Sequence, residues 1–184
     1  MRETNWTRRI AKDGVLLALL CVIGMFSIPL ADNVKVSLQL YAVLVLCFLV
    51  DGFLDALLIT GCYLLMGLFL PIYAGFSAGI TPTFGYVIGF VLASPVLYFL
   101  NRLPIHKIPR LILASLAGTL IIYISGTVFM MLYLNWDLPK TLVVSIVPYL
   151  PFDAVKIALA ILTYLAMPSF IVVEPTRKKD ASNQ

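Results

Sequence analysis

Residues 148–170 read PYLPFDAVKIALAILTYLAMPSF, and two of them decide the fold. Asp153 and Lys156 are the only charges in an apolar run that stays otherwise uncharged until Glu174. A three-residue spacing puts both on one face of a helix. An ion in a bilayer-spanning helix is costly, so it faces protein or a cavity and marks a functional site. Opposite charges on one inward face suit the holding of a polar ligand.

The rest of the chain fits that reading. It has 184 residues, 61% hydrophobic and only 12% charged, with a mean hydropathy of +1.02. A soluble domain carries about 25% charged residues. The composition predicts an all-α integral membrane protein, folded as one compact bundle with no second large domain. The net charge of +4 comes from bases at loops and ends, as a membrane-orientation signal places them, and does not point to nucleic acid. The first apolar run is followed by Pro29 and Asp32 rather than small residues, which predicts no cleavable signal peptide. Cys21, Cys47 and Cys62 lie in apolar runs without metal-ligand spacing, so they are expected to pack as small hydrophobes, with no metal site.

A spanning helix needs about 20 mostly apolar residues. Six are predicted, over about 11–30, 38–50, 53–70, 83–100, 109–134 and 151–170, with tails at 1–10 and 171–184. An even number of spans puts both ends on one side. That side holds Arg2, Arg8, Arg9, Lys12, Arg102, Lys107, Arg110, Arg177, Lys178 and Lys179, which is 10 of the 13 basic residues. The other side holds Lys35 and Lys140. The bias predicts cytoplasmic termini and a ligand pocket near the extracellular side, where Lys156 lies.

Three outer segments depart from simple spans. The second span has about 13 apolar residues, roughly 20 Å of helix, against a hydrocarbon core of about 30 Å. The stretch 141–150 is apolar but short, and Pro148 and Pro151 break it from the last span, so it reads as interfacial or re-entrant. Residues 71–82 carry no charge but include Gly75 and Gly79, the composition of a mobile lid. Irregular backbone at membrane depth lines a cavity or is buried in protein. Three such segments over one charged helix face predict an outward-opening pocket with a gate.

Small residues mark packing faces. Gly14 and Ala18, with Ala11 and Cys21 nearby, allow close helix approach, either within the bundle or to a partner. Gly85 and Gly89, Ala114 and Gly118, and Ala154 and Ala158 share that spacing and are expected to close the bundle. Gln39 opens the second span as either a solvated cap or a ligand-facing amide. Tyr86, one turn into the fourth span, fits an interfacial belt or a pocket wall. Asp51 and Asp55 begin the third span, where Asp55 suits the helix dipole. His106 sits in a basic inner loop without an acid or nucleophile and is expected to be solvated. No Gly-Lys dipeptide makes a phosphate-binding loop, and no His-Glu-x-x-His occurs. With no histidine inside a span there is no serine-protease base either. The chain is predicted to be no enzyme, with no catalytic residues and no cofactor.

Three strings then resemble a known family. They are VSLQLYAVL at 36–44, TPTFGYVIGF at 81–90 and PYLPFDAVKIALA at 148–160. In this order and topology they are similar to BioY, the biotin-specific substrate-capture (S) subunit of energy-coupling-factor (ECF) vitamin transporters. The resemblance covers about residues 10–170. It implies a six-helix bundle in the bacterial cell membrane that binds biotin from outside. It also implies work with an ECF transmembrane coupling subunit and two cytoplasmic ATPase subunits, since this chain has no ATP site. Helix 1 of that family contacts the coupling subunit through small residues, a pattern matched here by Gly14 and Ala18, with Ala11 beside them. The chain departs from the family at Phe84 and Phe152, where glycines are usual, and at Asp51 and Asp55, where the inner loop often carries arginines.

The resemblance gives the pocket residues their roles. Ionised Asp153 accepts from the ureido N–H groups of biotin and Lys156 pairs with its carboxylate. Gln39 and Tyr86 orient the ligand, and Tyr41, Phe76 and Phe84 cover its apolar part. The Cβ atoms of residues i and i+3 lie only about 5–6 Å apart, so Lys156 must reach away from Asp153 or both grip one end. Two rival readings remain at this stage. One is another small-solute or ion-coupled transporter with Asp153 and Lys156 as a relay, although the lower half of the last span offers only Thr163 and Tyr164 to continue it. The other is a membrane scaffold with a merely structural ion pair.

Overall fold

A computed structural model describes residues 3–31 and 34–168. The chain forms α1 (Glu3–Met25), strands β1 (Ser27–Ala31) and β2 (Val34–Ser37), α2 (Gln39–Leu49), α3 (Phe53–Gly67), α4 (Phe84–Leu100), α5 (Lys107–Leu134), α6 (Leu138–Ser145) and α7 (Leu150–Ala166). The C-terminal tail 171–184 and the end of the sixth predicted span lie outside the described residues.

Two elements correct the sequence reading. The first helix begins at Glu3, inside the stretch assigned to a tail, and stops at Met25 rather than residue 30. Beyond it the chain turns into a short antiparallel hairpin, the one pair of strands among the described residues of an otherwise helical fold. Pro29 cannot continue a helix, and Val34 and Val36 favour extended backbone. The register pairs Ser27 with Ser37 and Pro29 with Lys35, with an irregularity between Pro29 and Ala31. Proline is tolerated at such a place because the local ladder is already broken. The stretch assigned to an interfacial segment at 141–150 is partly the short helix α6, bent 51° from α7.

The core forms around α2. Nine of its 11 residues are buried, and it contacts α1, α3, α4 and α7. A helix apolar on all sides belongs at the centre of a bundle. It is too short to cross a bilayer, and the hairpin stands before it. α3 and α4 are also shorter than a full span. Between them residues 68–83 form an irregular segment that is tied down. Gly79 N–H donates to Gly67 O at 2.8 Å, and Gly75 N–H to Met25 O at 3.0 Å. Tyr73 Oη donates to Leu64 O at 2.6 Å. Gly75 and Phe76 both take left-handed backbone, at φ 71° and 57°, which glycine adopts freely and phenylalanine does not. Among the described residues, α5 is long and apolar enough to span alone, and α6 with α7 passes that test as a bent pair.

Small residues act differently in different helices. A Cβ on Gly85 would stand 2.2 Å from Phe129 Cβ, and one on Gly89 2.8 Å from Ile122 Cα. One on Gly118 would meet Leu97 at 2.5 Å, so α4 and α5 touch through their glycines. On α1 the outcome is the opposite. Ala11, Gly14 and Ala18 are exposed, and a Cβ on Gly14 meets nothing within 4 Å. The expected packing role of Ala154 and Ala158 is overturned, for both are exposed. The inward stripe of α7 runs through Asp153, Lys156, Ala160 and Tyr164, and at 3.6 residues per turn the alanines fall on the far side. Cys47 is buried and Cys21 half-buried, but Cys62 is exposed, so the cysteines do not all pack inside.

The outer faces of the helices are apolar, with Leu58, Leu65, Leu116, Leu120, Ile124 and Leu162 among many large hydrophobic residues left exposed. So continuous an apolar surface suits lipid rather than water. The glycine contacts make a contrast measurable. Gly89→Val should destabilise the detergent-solubilised protein by about 1–3 kcal/mol. Gly14→Ala should leave its thermal midpoint unchanged. Equal shifts for both would contradict the α4–α5 contact.

Candidate functional site

The charged pair on α7 faces inward. Asp153 and Lys156 are 7% and 6% exposed, and Lys156 Nζ donates to Asp153 Oδ1 at 2.6 Å. The second carboxylate oxygen accepts from Tyr123 Oη of α5 at 2.5 Å. Both oxygens of a buried carboxylate are therefore satisfied by donors from two helices. This is the condition for an ion to persist where desolvation is costly. The salt bridge lies within α7, and the Tyr123 hydrogen bond ties it to α5.

Tyr86 of α4 belongs to the same cluster. It lies within Coulombic reach of Asp153 and Tyr149, and its hydroxyl donates to Ser145 O at 3.0 Å. That carbonyl is at the end of α6, left free for an outside donor by helix termination. Gly126 makes room for the ring, since a Cβ there would stand 2.5 Å from Tyr86. Beside these groups, Thr127 Oγ1 and Ser145 Oγ are buried with no hydrogen-bond partner among the described residues. Buried orphans of this kind point to a polar molecule or water that completes the set.

Gln39 lies in a second cluster. It is buried, not a solvated cap, and its Nε2 donates to Tyr63 Oη at 2.6 Å. Tyr63 in turn donates to Ile72 O at 2.9 Å. This chain of bonds links α2, α3 and the segment that follows α3. Rings lead from there toward α5. Tyr63 packs on Tyr73, Tyr73 on Phe84, and Phe84 on Phe129, at centroid separations of 5.5, 6.3 and 5.7 Å. Phe84 is thus a buried wall residue. Burial pushes the Tyr73 phenol up to about 12, which keeps it a donor.

Two predicted residues stand apart from the pair. Tyr41 shares a hydrogen bond with Thr163 at 3.0 Å, and both line a cavity of about 130 Å³ between α1, α2 and α7. Thr163 is seven residues beyond Lys156, about 10 Å down the helix. Phe76 is 63% exposed, with its ring edge-on to Phe26. A larger apolar groove of about 410 Å³ runs along α4 and α5 past Ile88, Leu92 and Ile124. Neither space is lined by Asp153 or Lys156, whose polar atoms are turned on each other.

The sequence reading missed Tyr123 and Tyr63. Tyr123 had a signal, because Ser115, Thr119, Tyr123 and Thr127 recur every four residues and make one polar stripe on α5. Tyr63 had none, being a lone tyrosine in an apolar run.

The opposite end of the bundle holds two further ion pairs. Arg9 donates through Nε and a terminal nitrogen to the two oxygens of Asp55, at 2.7 and 2.8 Å. The Asp55 hydrogen bond raises the Arg9 pKa above its ordinary value. Lys12 pairs with Asp51 at 2.8 Å. Asp55 therefore clamps α1 to α3 rather than capping its helix by a side-chain bond. His106 is exposed. No group of acids, cysteines or histidines among the described residues is arranged to hold a metal.

Comparison with known proteins adds a family. Residues 1–171 match the model of the BioY family. Over 164 residues the chain is 30% identical to "Biotin transporter BioY" of Thermotoga maritima, covering 87% of this chain and 95% of that one. Over 155 residues it is 27% identical to "Probable biotin transporter BioY" of Pyrococcus horikoshii, covering 84% and 93%. The fold resembles the crystal structure of the S-component for biotin from an ECF-type ABC transporter. That likeness has a TM-score of 0.78 at 20% identity, over 89% of this chain and 92% of the other.

The ion pair predicts an asymmetry in stability. Lys156→Met should cost about 3–5 kcal/mol by leaving a buried carboxylate unpaired, whereas Asp153→Leu with Lys156→Met should cost far less. Denaturant unfolding in a fixed detergent reads both. A double variant as unstable as the single one would mean that the two charges are not coupled.

Proposed function

The chain belongs to the BioY family, and from that premise we propose that Asp153, Lys156 and Tyr123 hold biotin in a substrate-capture subunit for biotin uptake. It is a transport protein and not an enzyme, a membrane protein that takes up the vitamin with ECF coupling and ATPase subunits. The observation that carries the site is the buried pair with its two satisfied oxygens. Biotin offers ureido N–H donors and a carboxylate, and each replaces one half of that pair.

Orientation follows from charge. Arg9, Lys12, Arg102, Lys107 and Arg110 gather at one end of the bundle, which we assign to the cytoplasm of a bacterial cell by the positive-inside rule. Six crossings follow if α1, α2, α3, α4, α5 and the bent α6–α7 pair each count once. The hairpin and residues 68–83 then complete the short helices on the outer side. Asp153 and Lys156 lie near the outer end of α7. The exposed face of Ala11, Gly14 and Ala18 is left open on α1 for the coupling subunit.

The ligand lies with its ureido ring on Asp153 and Tyr123, its carboxylate on Lys156, and its apolar part along Phe84, with Tyr86 and Gln39 as polar anchors. Phe76 is retained as an outer contact of the bound state, whereas Tyr41, bonded to Thr163 below the pair, is not. A second reading rests on the 2.6 Å separation of Lys156 and Asp153. In it both residues grip one end, and the Gln39–Tyr63 pair takes the other.

Ligand analogues separate the two. Under the first reading Lys156→Ala weakens biotin about tenfold or more, by loss of a charge-assisted bond, and leaves the neutral biotin amide little changed. Equal losses in calorimetric titration reject the carboxylate assignment. For the partner face, Gly14→Leu with Ala18→Leu should abolish co-purification with the ECF coupling subunit while biotin binding persists. Retained co-purification would place the contact elsewhere.

A further inference from the structure

At and just after the turn between α4 and α5, Arg102 and Arg110 have no ion-pair partner among the described residues. Arg110 is only 5% exposed, and its Nε has no hydrogen-bond partner among the described residues. Arg102 sends one terminal nitrogen to Val50 O at 2.9 Å and lies 3.6 Å over the Tyr98 ring. Its other terminal nitrogen is buried without a partner among the described residues. The hydroxyl of Tyr164, a residue 1% exposed, is likewise unpartnered. Lys107 sits 5.4 Å from the Tyr164 ring centroid, which places the start of α5 against this part of α7. Burial lowers the Arg102 pKa, an effect opposed by Tyr98, Tyr164 and Asp51 and slightly reinforced by Arg110.

Two of the acids at this end are engaged elsewhere, and the third, Asp13 beside Arg9 and Lys12, keeps a buried Oδ1 with no partner among the described residues. Asp55 is taken by Arg9 and Asp51 by Lys12, and neither Arg102 nor Arg110 has an ion-pair partner among the described residues. A basic surface alone is what membrane orientation requires. That rule puts bases in the aqueous interface, where water solvates them. It does not account for a buried guanidinium with an idle N–H, which costs free energy unless an anion completes it. Arg110 Nε, Arg102 and Tyr164 Oη all donate. Asn101 Oδ1, next in sequence to Arg102, is a buried acceptor also left idle.

We propose that these groups form a binding site for the phosphate of an anionic phospholipid headgroup, lodged at the α4–α5 turn in the cytoplasmic leaflet. A guanidinium N–H fork matches a phosphate diester, and basic pockets between helices on the cytoplasmic side bind anionic headgroups. A glycerol headgroup also carries hydroxyls that can donate to Asn101 Oδ1. The exposed apolar residues Ile105, Ile108 and Ile112 beside the turn provide the surface for acyl chains.

The test is native mass spectrometry of the full chain released from micelles of phosphatidylglycerol and phosphatidylcholine in equal amounts. Wild type should retain phosphatidylglycerol over phosphatidylcholine. Arg110→Gln should reduce that preference about tenfold, the worth of a charge-assisted bond. Tyr164→Phe, which removes only a hydroxyl, should reduce it less, and Lys140→Gln at the far end should leave it unchanged. Biotin binding measured on the same samples shows that each variant is folded and keeps failure of the lipid site separate from failure of the biotin site. Equal retention of the two lipids overturns the proposal, as does an unaltered preference in Arg110→Gln. Displacement of the lipid by millimolar inorganic phosphate would make it a free-phosphate site instead. Lipid preference appearing only in Glu174→Gln would assign the cations to the chain's own tail and overturn it too.

Discussion

A charge in lipid must be answered from inside the protein, and the bond between Asp153 and Lys156 is where that demand is most severe. The pair sits on a helix whose other faces are exposed and apolar. It therefore fixes the rotation of α7 about its own axis, because any turn of the helix brings an ion to the lipid. Rotation fixes the rest. Ala160 and Tyr164 come inward along the same stripe, against Phe48, while Ala154 and Ala158 are carried outward. Tyr123 fixes the register of α5 by donating to the free oxygen, and α5 carries α4 with it through their glycine contacts. One buried ion pair thus orders three helices.

This dependence explains which features were legible from sequence. Charges, prolines and long apolar runs have local consequences, so α2, α3, α4, α5 and α7 could be placed within a few residues. The inward direction of Asp153 and Lys156 followed from the cost of the alternative. The hairpin after α1 was not legible, because Ser27–Ala31 is as apolar as a helix end and its pairing depends on a partner strand. Small-residue spacing was ambiguous for a like reason. Gly85 and Ala154 head the same i, i+4 pattern, yet one meets Phe129 and the other meets no helix. What decides is the rotation of the helix, and that is set by residues outside the motif. Tyr63 illustrates the remaining gap. Its hydroxyl links Gln39 to Ile72 O, a relation among three segments that no single run of sequence contains.

The two ends of the bundle satisfy their ions by different means. At the end with the chain terminus, Arg9 reaches from α1 to Asp55 on α3 and Lys12 to Asp51 in the turn before it, and the pairs are partly open to water. Such pairs contribute little individually, but they hold α1 upright at one end while its small-residue face stays uncovered. At the other end water has less access, and backbone ends are used as well as side chains. Ser145 O receives Tyr86, and Ile72 O receives Tyr63. Irregular segments supply those carbonyls, because a helix interior has none to spare. The segments that break the helical pattern are therefore what makes polar recognition possible at that depth.

The closed geometry also bears on how a ligand enters. Lys156 lies folded onto Asp153, and neither lines the groove along α4 and α5 or the cavity beside Tyr41. A ligand that brought one charge would leave the other ion stranded at a cost of several kcal/mol. A molecule with hydrogen-bond donors at one end and a carboxylate at the other avoids this. Its donors take over the Asp153 oxygen that Lys156 gives up, and its carboxylate takes over Lys156. The number of satisfied buried charges is then the same before and after binding. The Lys156 stem must swing away from Asp153 as this happens. In the proposed binding mode, exchange of partners is the step that selects the ligand by its chemistry. A neutral solute has no carboxylate with which to complete that exchange.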